Sequence, residues 1–248
     1  VKIFWRQGCV LGVCVSLLMS TPLLAEELRP QLDDLVRHFG NVVFGDEYGV
    51  GDAPGVVAKW QESPIGIAVQ GHSTDQLIDI AARHIRGLTE ITGVQFKKVA
   101  PGSPNAKIDL MFLYRQEMSA VAKQLPPRDA SALTTMINDP TARCFFLSWK
   151  VPNDRIVKAI VLVNAKLEPA EVNACLLEEL TQVMGLPNDV DAYWPTLFKP
   201  IDSSLNWSRW DKLYLKTLYS PQMKPGLNKA QALEVARTLF AKELSKSP

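Results

Sequence analysis

Cys175-Leu-Leu-Glu178-Glu179-Leu-Thr-Gln182-Val-Met-Gly185-Leu-Pro-Asn188-Asp189 is the stretch on which the reading of this 248-residue chain turns. Just ahead of it, Glu168-Pro169-Ala170-Glu171 puts acidic residues and a proline where a helix begins. The helix macrodipole favours the acids there, and proline's fixed φ suits the first turn. Val172, Leu176, Leu177, Leu180, Val183 and Met184 then recur at helical spacing, and Gly185 followed by Pro187 marks the stop. Glu178 and Gln182 lie four apart, so both project from one face of this helix, with Glu179 beside them.

That geometry is the one used by HExxH metallopeptidases, where two histidines one turn apart hold zinc and the glutamate between them activates water. In the longer HExxHxxGxxH form a glycine turns the chain and a third ligand returns. The five positions fall here on Glu178, Glu179, Gln182, Gly185 and Asn188, with Asp189 next to the last. The glutamate and the turning glycine are present, while all three histidine positions carry oxygen-bearing side chains. Zinc prefers nitrogen and sulfur, so no zinc and no other cofactor is expected. The pattern fits a zinc-peptidase scaffold that has lost its metal. The plainer alternative is a solvated pair of glutamates on a helix with an ordinary glycine stop. His38, His72 and His84 lie far upstream, none with a partner at ligand spacing, and are read as surface or capping residues.

Outward from this helix, Cys144 to Val151 and Ile156 to Val163 are apolar runs joined by Pro152-Asn153-Asp154, which predicts a hairpin or two adjacent strands. Further upstream, Val56 to Trp60, Ile65 to Val69, Val94 to Val99 and Ile108 to Leu113 read as extended segments. Ser73-Thr74-Asp75 caps a helix whose apolar residues run from Leu77 to Leu88 and which ends at Gly93. Helical spacing also predicts helices over residues 28–39, 115–124, 129–137, 208–219 and 228–244, with residues 41–55 turn-rich. The fold class is α+β: a mixed, twisted sheet packed on helices, with a helical C-terminal part.

At the N-terminus, Lys2 and Arg6 precede an uncharged apolar run from Cys9 to Met19 and a small-residue exit at Ala25. Residues 1–25 are read as a secretory signal peptide, too short in its apolar core to span a bilayer comfortably, with a retained anchor as the alternative. Residues 26–248 then form one domain. Cleavage removes 25 of the 248 residues, leaving 223, and takes away Lys2 and Arg6, so 25 basic residues remain against 26 acidic ones. That near-balance excludes nucleic-acid binding by bulk charge, and no membrane span is expected after cleavage. Cys14 has a poor lipidation context, following Val13 inside the apolar run. Cys144 and Cys175 remain; outside the cytoplasm they are expected to form a disulfide, with two separate buried thiols as the alternative.

The segment from Cys144 to about Gly226 resembles the bacterial family called domain of unknown function 2927. The residues that carry the resemblance are Cys175, Glu178, Glu179, Gln182, Gly185, Leu186, Pro187, Asn188 and Asp189, then Asp211, Leu218, Tyr219, Pro221 and Gly226. The resemblance implies an exported or lipid-anchored protein, read here as periplasmic or secreted because of the context of Cys14, with an architecture similar to the zincin fold of metzincin peptidases. It implies no established activity. Two functions are carried forward. One is a non-catalytic zincin-like domain that binds a protein, peptide or cell-envelope component, with Tyr193, Trp194, Trp207 and Trp210 lining a groove or else packing in the core. The other is a hydrolase with Glu179 as general base, helped by Glu178, Gln182 and Asn188 or Asp189 around a hard cation or a positioned water.

Overall fold

The computed structural model describes residues 29–45, 55–151, 154–199 and 204–246. The expected signal segment, with Cys9 and Cys14, lies outside them. Five strands form one sheet in the order β2-β1-β3-β5-β4, where β1 is Ile65–Gly71, β2 Phe96–Lys98, β3 Ile108–Leu113, β4 Cys144–Lys150 and β5 Ile156–Asn164. β1 pairs in parallel with β2 and β3, and β3 in parallel with β5. Only β4 runs antiparallel, joined to β5 as the expected hairpin and left at the sheet edge.

Seven helices are described: α1 Leu32–Phe44, α2 Asp75–Thr92, α3 Arg115–Ala122, α4 Pro127–Asn138, α5 Pro169–Gln182, α6 Arg209–Leu218 and α7 Lys229–Leu244. The period of two in β3 shows how they are shared between the sheet's faces. Ile108, Leu110 and Phe112 enter a large core with α1, α2, α5, α6 and α7, while Met111 and Leu113 face a smaller core with α3 and α4. β4 and β5 divide in the same way, Phe146 and Val161 to one side, Phe145 and Leu162 to the other. The sheet is therefore helix-covered on both faces, which explains why its strands read as nearly continuous apolar runs.

Several boundaries differ from the sequence reading. α1 continues to Phe44 because Val42 and Val43 extend the buried stripe of Leu35, Val36 and Phe39; the island assigned to a turn-rich stretch is the last turn of the helix. Val56 to Trp60 is extended and touches the sheet at the start of β5, where Lys59 O accepts from Ile156 N–H, but it is not itself one of the five strands. Other backbone bonds go to loops, Val57 N–H donating to Leu227 O and Lys59 N–H to Asp154 O. Helix starts were more legible. Thr74 Oγ1 accepts from Leu77 N–H at α2, and Glu171 reaches back to the backbone of Glu168 with Pro169 in the first turn of α5. At the far end of α4, the Arg115 guanidinium donates to the carbonyls of Ile137 (2.7 Å), Asp139 and Ala142, closing the α3–α4 pair.

Candidate functional site

Cys144 and Cys175 are joined in a disulfide, with their Cα atoms 5.8 Å apart, so the first residue of edge strand β4 is tied to the middle of α5. One turn on from Cys175 lie Glu178, half-buried, and Glu179, only 3% exposed. Gln182 is 1% exposed. A solvated glutamate pair thus describes Glu178 in part and Glu179 not at all. The structure brings Gln182 together with Asp189, the amide Nε2 donating to the carboxylate at 3.0 Å. It takes Asn188 elsewhere: its Nδ2 donates at 3.0 Å to the carbonyl of Asn41 near the end of α1. Among the described residues no three His, Cys, Asp or Glu side chains are arranged to hold a metal ion.

The turn that follows α5 is built from both ends of the chain. Gly185 has φ +109°, where L side chains are strained, and a Cβ there would stand 2.4 Å from the carbonyl oxygen of Ala58. Its neighbours' carbonyls, which a helix end leaves open, are filled by side chains. Trp60 Nε1–H donates to Val183 O at 2.8 Å and Tyr219 O–H to Met184 O at 2.8 Å. Lys59 was not singled out from the sequence, although its place in Val-Val-Ala-Lys-Trp is the signal. Its buried Nζ donates to Leu218 O at 2.8 Å and Met223 O at 2.6 Å, and burial lowers its pKa to about 8. Asp211 is fully buried. It accepts from Thr196 Oγ1 at 2.6 Å, Leu197 N–H at 3.2 Å and Ser208 N–H at 2.7 Å, and burial raises its pKa.

Two histidines correct the sequence reading. His38 is buried: its Nε2–H donates to Val190 O at 2.9 Å, and Nδ1 lies 3.1 Å from the Tyr214 hydroxyl, which donates to it. His84 is buried too, with Nε2 3.0 Å from Asn173 Oδ1 and its ring edge-on to Trp207. His72 is exposed as expected and pairs with Glu117. Of the four aromatics, Trp194 and Trp210 are buried, Trp207 donates to Thr181 Oγ1 over Gly87, and Tyr193 is exposed.

Burial is the first cause holding the imidazoles of His38 and His84 below their ordinary pKa, opposed by their hydrogen bonds to Val190 and Asn173. A folded pKa below the unfolded one makes the unfolded chain the stronger proton acceptor. The stabilisation is therefore complete above about pH 6.5 and is lost as the pH falls below that value through the folded pKa. Urea midpoints recorded between about pH 7.5 and 5 are expected to fall, and to fall less steeply in His38→Gln and His84→Gln. An equal slope in both variants would refute the assignment to these rings.

No curated protein matches the chain. Residues 33–238, most of the chain and including the whole α5 motif, match the family described as Protein of unknown function (DUF2927), and the chain belongs to that family.

Proposed function

We propose that the protein is an exported, non-catalytic zincin-like domain that binds a protein, peptide or cell-envelope component. The observation that carries this is the employment of the degenerate ligand positions. Gln182 is engaged with Asp189 and Asn188 with Asn41 O, so side chains that a metallopeptidase would aim at a metal here fasten the end of α5. A sheet with one antiparallel edge strand, followed by a helix that ends on a glycine turn, supports the zincin-like reading. The Cys144–Cys175 disulfide supports an oxidising compartment. No helix among the described residues is long and apolar enough to cross a membrane.

The burial of Glu179 favours a second reading, in which this carboxylate is the general base of a hydrolase. Metal analysis of the purified protein and a peptidase assay on Glu179→Gln separate the two. The binding domain is expected to carry no stoichiometric transition metal and to show no hydrolysis that the substitution removes. Stoichiometric zinc, or turnover abolished in Glu179→Gln, would overturn it.

A further inference from the structure

The geometry points to a saccharide site in the cleft between α1 and residues 190–194, one that accepts an oligosaccharide of N-acetylated hexosamine. The inference rests on the reading above, in which the domain retains a ligand rather than cleaving it, and it selects the ligand class. The cleft has a volume of about 360 Å³, within the size range of small-ligand sites. α1 supplies Asp34, Arg37 and Asn41; the opposite wall supplies Asp191, Tyr193 and Trp194.

Tyr193 is 49% exposed and yet fixed in place. Its hydroxyl donates to Asp34 Oδ2 at 2.9 Å and accepts from Gln31 N–H at 3.3 Å, while its ring stands at 90° to Trp194 with centroids 4.8 Å apart. An exposed ring held from three sides is a pre-organised platform that loses little freedom when a flat apolar face settles on it. The C–H face of a pyranose is such a surface. The carboxylates and amide around it suit hydroxyl donors, and Asp34 is already matched by Arg37, so the cleft favours a neutral polar ligand over a strongly charged one.

Trp194 adds an independent indication. It lines the cleft, is 3% exposed, and its Nε1–H has no hydrogen-bond acceptor among the described residues. Buried donors are seldom left in that state, and an acetamido carbonyl is a stronger hydrogen-bond acceptor than the hydroxyl oxygens of a plain hexose. An extended peptide is less well served: the backbone of Val190 is already engaged, its N–H with Phe198 O at 2.8 Å and its carbonyl with His38.

The test is calorimetric titration of the full chain with chitotetraose and with cellotetraose, which carries a hydroxyl in place of each acetamido group, with the recovered sugar chromatographed afterwards. Chitotetraose is expected to bind saturably, to bind more tightly than cellotetraose, and to be recovered intact. Tyr193→Ala is expected to weaken binding about tenfold or more and Asp191→Ala to weaken it less, while both variants still unfold cooperatively. Val151→Ala, exposed elsewhere, is expected to bind as the parent does. No saturable binding, binding undiminished in Tyr193→Ala, or equal affinity for the two sugars would overturn the inference. Saturable, Tyr193-dependent binding with cleavage of chitotetraose would leave the site standing and overturn the non-catalytic reading.

Discussion

Gly185→Val is expected to unfold the protein in markedly less urea than the parent, with a loss of roughly 2–6 kcal/mol. Two effects add. A β-branched residue at φ +109° carries backbone strain of about 1–3 kcal/mol. Its Cβ, placed 2.4 Å from Ala58 O and 3.3 Å from Leu218 Cδ2, has to push the 57–60 segment away, for about 1–3 kcal/mol more. Moving that segment also draws the Trp60 indole off Val183 O. Against a total stability of about 5–15 kcal/mol the loss is large, and Gly185→Ala should share most of it because both effects arise at Cβ. A midpoint shift worth less than about 0.5 kcal/mol, the size of an ordinary surface change, would show that the turn tolerates a side chain.

The second large effect is expected from Cys144→Ser combined with Cys175→Ser. The bridge closes a loop with a sequence separation of 31, and constraining such a loop in the unfolded chain is worth roughly 3–4 kcal/mol. The penalty should appear as a lower melting temperature, and the parent protein in strong reductant should show most of the same drop. Cys175 is 2% exposed within the main core, so the serine that replaces it would also place a hydroxyl among apolar neighbours. Equal melting of parent and variant in the absence of reductant would mean that the bridge does not hold β4 to α5.

Much of the architecture was legible in the sequence because local signals agreed with the tertiary outcome. The acidic, proline-bearing start at Glu168 to Glu171, with Thr74 and Gly93, each marked a true helix boundary, and β4 ends before and β5 begins after the expected break at 152–154. Val56 to Trp60 misled because apolar, partly β-branched residues predict burial, and burial here comes largely from contact with the ends of α5 and α6 rather than from a place among the strands of the sheet. The α5 motif was legible as a unit, and its members' partners were not. Spacing places Gln182 and Asn188 relative to one another, but Asn41, Ala58 and Tyr219 meet this segment only through the fold. His38 and His84 were misread for the same reason: their acceptors, Val190 O and Asn173 Oδ1, lie 152 and 89 residues away.

The fastening of α5 by distant segments also bears on the order of assembly. Trp60 reaches Val183 across 123 residues, Asn41 meets Asn188 across 147, and Lys59 meets Met223 across 164. Contacts of such separation form only after long loops have closed, and topologies rich in them fold slowly. Helix α5 can coil on its own capping box early, but its terminal turn acquires its final shape only when residues near 40, 60 and 220 have all arrived. The motif is thus expected to be among the last parts of the molecule to be completed.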